Sequence, residues 1–185
     1  LHTLIEVRER LDTQALQKAI NAIAAAQRIE FYGFGASGAV AADAQHKFFR
    51  LGINTGTSSD GHVQVMSATM LGERDCAVVV SNAGRSRDLL DAADIARRKG
   101  ATVIVITASD SPLARRTQSH NQIVLAADHP EDFDRYSPMV SRLLHLVIID
   151  ILTTGVALRL GSASLRPMLQ EIKRNLRDKR YAQPE

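Results

Sequence analysis

Short apolar runs alternate with segments of helical periodicity along most of this chain. The runs lie at 28–34, 76–82, 101–109 and 121–127, and a weaker, more polar run lies at 53–59. Three of them are rich in β-branched residues and lack the polar alternation of a strand with one wet face, so they predict strands buried on both sides. Because helical segments separate the runs, the predicted fold class is α/β, a three-layer α/β/α sandwich around a five-stranded parallel sheet.

The helical segments carry recognisable start and stop signals. Asp12 and Thr13 precede a helix with apolar residues at every third or fourth position, Asp60 precedes the helix at 61–71, and the Ser111-Pro112 pair opens a short one. Glycines at 52 and 100 end two others. The remaining helices are predicted at 37–51, 86–99, 137–160 and 164–177.

The order of the strands follows from the rules for parallel sheets. Right-handed crossovers and five strands give the flavodoxin-like order 2-1-3-4-5, in which strands one and three are neighbours. The loop GFGASG at 33–38 and the loop SNAGRSRD at 81–88 then open into one crevice at the carboxyl edge of the sheet. The sequence therefore predicts a ligand site between these two loops.

Both loops have the composition of a phosphate site. Glycine lets the backbone turn its N–H groups toward one point, a helix start favours an anion there, and serine hydroxyls add donors. Arg85 adds a charge that suits the phosphate or a carboxylate of the ligand. The candidate ligand-binding residues are Gly35, Ser37, Ser81, Asn82, Gly84 and Ser86.

Two other interpretations of these loops stay open on the sequence. Ser37 and Ser86 also suit plain helix N-caps, the role predicted here for Ser111. The G-x-G-x-x-G spacing at 33–38 also matches a dinucleotide fingerprint, with Asp60 near the place of a ribose-binding acid. Asp60 is more simply a helix cap, however, and five strands are too few for two mononucleotide-binding halves. No cofactor is predicted.

Composition and charge exclude several classes of protein. The chain has 185 residues and 45% apolar content, which suits one domain, and its 23 basic and 20 acidic residues are too evenly spread for a nucleic-acid surface. The single cysteine, Cys76, falls in a buried strand and allows no internal disulfide. The longest apolar run, 145–158, is interrupted by Asp150 and is shorter than the ~20 residues of a membrane span. We expect a soluble, cytoplasmic protein.

The motifs of the two loops resemble the SIS (sugar isomerase) fold, which has Gly-x-Gly-x-Ser after strand one and Ser-x-x-Gly-x-Ser after strand three. More narrowly, RIEFYGFGASG, HKFFRLGI, SSDGHVQVMSA, SPLA and DRYSPMVSRL resemble the effector domain of RpiR-family transcriptional regulators. The likeness covers nearly the whole chain. The segment PEDFDRYSPMVSRLLHLVIIDIL most resembles a branch of that family that responds to 2-keto-3-deoxy-6-phosphogluconate.

The resemblance implies a domain that binds a phosphorylated sugar acid, 2-keto-3-deoxy-6-phosphogluconate or a related compound. The family's phosphate contacts correspond to Ser37, Ser81 and Ser86. This chain has Ala83 where the family usually has serine or threonine. One hydroxyl donor is therefore lost, and the phosphate is expected to depend more on backbone amides and on Ser81.

The resemblance also implies a domain organisation. Residues 1–27 are expected to form linker helices that pack on a SIS domain at 28–185. The helix-turn-helix DNA-binding domain of the family is expected upstream of Leu1, and DNA contact would belong to it. Apolar stripes on the helices at both ends, with Leu4, Val7 and Leu11 at one of them, predict a homodimer or a higher oligomer.

Two functions are compatible with this fold, sensing and catalysis. Isomerases of the fold need a general base, commonly a glutamate. Phosphoheptose isomerases place that glutamate four residues after the ADAQH motif, which this chain has at 42–46, but Arg50 stands there instead and Lys47 lies in the same helix. A cation cannot act as this base, and both residues are predicted on a solvated helix face. The predicted function is therefore the non-catalytic effector domain of a regulator of sugar catabolism; the alternative is a sugar-phosphate isomerase.

The remaining titratable residues predict structural roles. His46, His62 and His145 fall on helices among apolar neighbours, which is typical of core or interface histidines, although Asp60 and His62 follow strand two and are within possible reach of the crevice. Glu73 and Asp75 form a solvated turn. His120 and His129 lack partners at metal-ligand spacing. A solvated helix face is predicted for the basic cluster of Lys173, Arg174, Arg177, Lys179 and Arg180.

Overall fold

Five parallel strands form the centre of the molecule. A computed structural model describes residues 9–116, 121–129 and 140–179, and in it the strands follow the order β2-β1-β3-β4-β5. This order and the all-parallel pairing confirm the predicted α/β fold class. The strands are β1 (Ile29–Tyr32), β2 (Thr55–Ser58), β3 (Cys76–Val80), β4 (Thr102–Thr107) and β5 (Gln122–Ala126).

Helices cover both faces of the sheet, as fully buried parallel strands require. Within the described ranges they begin and end close to the positions that the sequence predicts. They are α1 (Thr13–Ala25), α2 (Gly35–Phe49), α3 (Gly61–Thr69), α4 (Arg87–Arg98), α5 (Pro112–Arg115), α6 (Val140–Leu160) and α7 (Ser162–Asn175), followed by a 3₁₀ turn at Arg177–Lys179.

The two faces of the sheet build two separate apolar cores. On one face, Phe31 and its neighbours pack against α1, α2 and α6, and the Phe31 ring stacks on Phe48 of α2 with 5.5 Å between ring centroids. On the other face, Tyr32 and Val79 pack against α3 and α4. The helices that follow β1 and β3 therefore lie on opposite faces, which opens a crevice between those two strands at their carboxyl ends.

Side-chain caps start three of the helices where the sequence predicts them. Asp12 accepts hydrogen bonds from the N–H groups of Gln14 (2.8 Å) and Ala15 (3.2 Å). Asp60 caps α3 and Ser111 caps α5 in the same way. The helix predicted to begin at 37 begins instead at Gly35, because the N–H of Gly38 already bonds to the Phe34 carbonyl at 3.1 Å.

The apolar helix α6 is a helix of the core. The helix has 21 residues and is long and apolar enough to cross a membrane. The apolar run at 145–158, considered in the sequence, is shorter than such a span. One face nevertheless packs on the sheet, and Lys47 of α2 forms an ion pair with Asp150 near the middle of the helix. The buried residues of α6 are Ser141, Leu144, His145, Ile148, Ile149, Leu152 and Val156.

Some predictions fall outside the described residues. These are the apolar positions Leu4 and Val7, His120, the segment that precedes Val140, and Arg180 of the basic cluster. Leu11, the third position of the N-terminal stripe, is buried in the core of the chain's own domain.

Candidate functional site

The two glycine- and serine-rich loops start side by side. Tyr32 at the end of β1 is in register with Val79 of β3, one residue before that strand ends. Gly33 and Phe34 lead into α2 on one face of the sheet, and the loop at 81–86 leads into α4 on the other face. The strand order thus brings together loops that are more than 40 residues apart in the sequence.

The first loop is wound tightly because glycine occupies its critical positions. A Cβ at Gly33 would lie 2.5 Å from the carbonyl oxygen of Ser37, so the backbone of the helix start lies directly over this residue. A Cβ at Gly38 would lie 3.2 Å from the Gly33 carbonyl oxygen. This close approach fixes where the first N–H groups of α2 point, and those N–H groups have no partner inside the helix.

Ser37 lies inside the first turn of α2 rather than at its cap. Phe34 holds the N-cap position and provides no side-chain cap bond. The Ser37 hydroxyl is half-buried and has no hydrogen-bond partner among the residues that the structure describes. The alternative interpretation of Ser37 as a plain N-cap is therefore wrong, because its position in the helix does not permit it.

The second loop is held by its own hydrogen bonds. The Ser81 hydroxyl oxygen accepts the N–H of Gly84 at 3.0 Å, and the Asn82 carbonyl accepts the N–H of Ala108 at 3.2 Å. Gly84 has a φ of +58°, and a Cβ there would lie 2.7 Å from the Ser111 hydroxyl oxygen. The loop is therefore fixed against the start of α5 before any ligand binds.

Ser86 and Arg85 complete the second loop. Ser86 holds the N-cap position of α4, but its side chain makes no cap hydrogen bond, so its hydroxyl is free for another acceptor or donor. Arg85 is exposed and forms no ion pair with any residue in the described ranges. The hydroxyls of Ser37 and Ser86 and the Arg85 guanidinium are thus uncommitted groups beside two helix N-termini, which is the chemistry of an anion site.

Asp60 does not support a dinucleotide site. Its carboxylate accepts the N–H of Val63 at 3.0 Å as the N-cap of α3. This is the structural role that the sequence favoured over ribose binding. His62 lines a cavity of about 220 Å³ between α3 and α4, together with Gly61, Val65, Met66 and Asp88.

Three other residues considered in the sequence, two cations and the cysteine, lie away from the two loops or have structural partners. Lys47 pairs with Asp43 at 2.7 Å and with Asp150; burial lowers the Lys47 pKa, but the two carboxylates outweigh it, and the net pKa is raised. Arg50 lies at the exposed end of α2, roughly 20 Å along the helix from Ser37 at 1.5 Å a residue. Burial raises the pKa of Cys76 to about 12, so this thiol stays protonated and unreactive.

No group of histidine, cysteine or acidic residues suited to a metal ion occurs in the described part of the chain. His46 and His62 are exposed on α2 and α3, and His145 is buried in α6. The cluster at the C-terminus is exposed at Lys173, Arg174, Arg177 and Lys179, in agreement with a solvated helix face.

Sequence reasoning missed two buried polar residues beside the first loop. Gln64 of α3 is completely buried, and its amide nitrogen donates to the carbonyl oxygens of Gly33 and Ser58. Glu30 of β1 is buried against Arg28. One signal could have identified Gln64. It is a polar residue four positions after the cap aspartate, on the inward face of a short helix.

Known proteins are similar to this chain in sequence. The family model of the SIS domain matches residues 22–155. The HTH-type transcriptional regulator HexR of Escherichia coli (strain K12) is 40% identical over 179 residues, which are 97% of this chain and 60% of that protein. The bifunctional protein glk of Paraburkholderia xenovorans (strain LB400) is 46% identical over 156 residues, 84% of this chain and 24% of that protein. The chain thus spans about three fifths of the regulator and a quarter of the bifunctional protein.

A solved structure shares the whole architecture. The Vibrio vulnificus NanR protein complexed with ManNAc-6P superposes with a TM-score of 0.85 at 21% identity, and the match covers 98% of this chain and 67% of that one. At this identity the likeness shows the fold. The resemblance that the loop motifs indicated is therefore confirmed by a family match, by sequence relatives and by architecture.

Proposed function

The chain belongs to the SIS domain family, and from this premise we propose that it is the effector-sensing domain of a transcriptional regulator of sugar catabolism. In this proposal it binds a phosphorylated sugar acid such as 2-keto-3-deoxy-6-phosphogluconate and thereby controls DNA binding. A helix-turn-helix domain upstream of Leu1 would contact the DNA. Residues 1–27 would link that domain to the SIS domain at 28–185, and the protein would act in the cytoplasm.

One observation carries the proposal: α2 and α4 begin just after the neighbouring strands β1 and β3, and the hydroxyls of Ser37 and Ser86 at these helix starts make no hydrogen bond within the described ranges. The ligand-binding residues proposed are Gly35, Ser37, Ser81, Asn82, Gly84 and Ser86. Helix N-termini and hydroxyl donors bind a phosphate through charge-assisted hydrogen bonds. The similarity to HexR supports a regulator, and the name of the NanR complex supports a phosphorylated ligand for this fold.

Arg50 at the position of the isomerase glutamate supports sensing rather than catalysis. Near the carboxyl edge of the sheet, Asp60 caps α3, and Asp128 accepts the N–H of Ser109 at 2.7 Å. Asp88 at the start of α4 and Asp110 after β4 are exposed carboxylates, and neither forms a hydrogen bond within the described ranges that would orient it as a base. A sugar isomerase needs a base held against the sugar.

The test of this function is a comparison of two ligands that differ only in the phosphate. Titration of the 185-residue chain with 2-keto-3-deoxy-6-phosphogluconate and with 2-keto-3-deoxygluconate should give dissociation constants at least roughly a hundredfold apart, since two hydrogen bonds to a charged group contribute ~3 kcal/mol or more. Thermal-shift assays with a panel of sugar phosphates extend the comparison, because a ligand at a hundred times its dissociation constant stabilises the fold by about 2.7 kcal/mol. Equal affinities for the two acids would contradict the proposal.

A further inference from the structure

Helix α3 buries a polar side chain and exposes apolar ones. Gln64 and Ala68 on its inward face are completely buried, whereas Val63 and Met66, and Met70 just after the helix, are about half to two thirds exposed. Ordinary surface helices bury the apolar residues and expose the polar ones. Burial of an amide is costly unless its hydrogens are bonded. Packing alone therefore does not explain why Gln64 is buried.

Gln64 connects the ends of two neighbouring strands. Its amide nitrogen donates to the carbonyl oxygen of Ser58 at 2.7 Å, where β2 ends, and to that of Gly33 at 3.3 Å, directly after β1. Both hydrogens of the amide are thereby used. The amide oxygen is buried and has no hydrogen-bond partner in the part of the chain that the structure describes. The side chain thus acts in this site only as a donor to two backbone carbonyls.

The position of Gly33 determines the position of the first loop. The Ser37 carbonyl lies within 2.5 Å of where a Gly33 Cβ would be, and the Gly33 carbonyl lies beneath Gly38. A loop this tightly wound moves as a unit. We therefore expect a displacement of the Gly33 carbonyl to be transmitted to Gly35 and Ser37 at the start of α2.

We propose that Gln64 is a positioning residue that holds the first loop in its anion-binding geometry. This inference rests on the proposed function of the crevice as a phosphate site. Gln64 does not touch the ligand. Its role is to keep the first turn of α2 aligned with the loop after β3, so that both helix starts bind the same phosphate.

Ser67, one turn further along α3, provides a matched control. It also faces β1, but it contacts Glu30, with its hydroxyl oxygen 3.3 Å from the carboxylate, and the hydroxyl of Tyr32. These contacts lie on the strand and not on the loop. Loss of Ser67 should weaken the packing of α3 without displacing Gly33.

The experiment compares Gln64→Met, which keeps the length of the side chain and removes both donors, with Ser67→Ala. Calorimetric titration uses inorganic phosphate and 2-keto-3-deoxy-6-phosphogluconate as probes. Gln64→Met should bind both about tenfold more weakly, since the loss of a well-aligned phosphate contact is of that size. The ratio between the two probes should stay unchanged, because only the phosphate site is affected. Ser67→Ala should lower the melting temperature and leave both affinities within about twofold.

Amide NMR spectra of the ligand-free proteins give a second measurement. In Gln64→Met the resonances of Gly33, Gly35 and Gly38 should shift or broaden, whereas those of β4 should not. Gln64→Glu, which has the same shape but presents a carboxylate to two carbonyls, should displace the same resonances further. Unchanged loop resonances, or parental affinity in Gln64→Met, would overturn the positioning role.

The two proposals fail in different ways. If the parent chain binds neither probe, the proposed function is wrong, and the NMR comparison alone decides whether Gln64 positions the loop. If the parent binds and Gln64→Met binds equally well, the function stands and the positioning role is wrong. Effects of Gln64→Met that spread over all of α3 and β2 would likewise reject it in favour of a general structural role.

Discussion

At the residue scale, Ser37 and Ser81 have different surroundings although we propose that they bind one phosphate. The Ser37 hydroxyl has no partner in the described ranges, whereas the Ser81 oxygen accepts the Gly84 N–H at 3.0 Å. A hydroxyl that accepts one bond still has its own hydrogen to donate. Ser81 can therefore hold its loop and bind a phosphate oxygen at once, while Ser37 is available for the ligand alone.

This difference leads to a prediction for the two single alanine variants and the double variant. Ser37→Ala and Ser81→Ala should each weaken the binding of 2-keto-3-deoxy-6-phosphogluconate roughly ten- to hundredfold, since each loses a hydrogen bond to a charged group of ~1.5–3 kcal/mol. Because both bind one phosphate, the double variant should differ from the sum of the singles. Calorimetric titration measures all three dissociation constants.

Two controls make this comparison specific. Ser164→Ala on α7 removes a hydroxyl that donates only to the backbone carbonyls of Leu160 and Gly161, directly before that helix, and this variant should bind like the parent. Circular dichroism should show that all variants are folded. Parental affinity in either single variant, or loss of binding that accompanies unfolding, would remove that serine from the site.

At the element scale, β1 leads into the first loop and also carries a buried charge. Glu30 is paired with Arg28 at 2.7 Å and faces Gly56 of β2, where any Cβ would overlap its carboxylate. The Glu30 side chain is 4% exposed and that of Arg28 is 35% exposed. Removal of Arg28 would leave a buried carboxylate with hydrogen-bond support from Ser67 alone.

Arg28→Ala should therefore destabilise the fold. Breaking a buried ion pair costs about 3–5 kcal/mol, and because water reaches Arg28 we expect a loss of about 2 kcal/mol in the free energy of unfolding. Urea denaturation measures it. Arg98→Ala, at an exposed arginine without an ion pair in the described ranges, should change stability by less than about 0.5 kcal/mol. A similarly small change in Arg28→Ala would show that the Arg28–Glu30 ion pair does not stabilise the fold.

At the scale of the whole molecule, α6 and α7 present an apolar surface that no residue in the described ranges covers. A groove of about 750 Å³ lies between them, and a second one of about 450 Å³ lies along α6 beside Ile20. The two share Thr154 and Leu158, and Leu158 is 77% exposed. A second copy of the chain is our proposed occupant, because the predicted homodimer needs an apolar interface of this kind.

The prediction for assembly is that Leu158→Arg converts the dimer into a monomer, since a charge in the middle of an apolar interface is left unpaired. Light scattering after gel filtration measures the mass. Leu176→Arg is the matched control, because Leu176 is similarly exposed but does not line either groove. A parent chain that is monomeric, or a dimer that survives Leu158→Arg, would contradict this interface.

The sequence by itself determined the fold class, the strand order and the position of the two loops. Buried parallel strands need continuous apolar runs, and caps such as Asp12, Asp60 and Ser111 act on their own neighbours, so local sequence is sufficient for both. The family followed from the loop motifs for the same reason. The caps and the loop motifs each lie within a few consecutive residues, whereas the strand order followed from the rules for parallel sheets.

Only the tertiary structure decided how the loops are held and which residues are free to bind. Gln64 reaches Gly33 across 31 positions, Lys47 pairs with Asp150 across 103, and the Ser37 hydroxyl is uncommitted because α2 begins at Gly35. Such contacts depend on which elements pack together, and no local pattern records them. Whether a side chain is free to bind a ligand therefore depends on the packed molecule, because residues from other elements that pack beside it can bind it first.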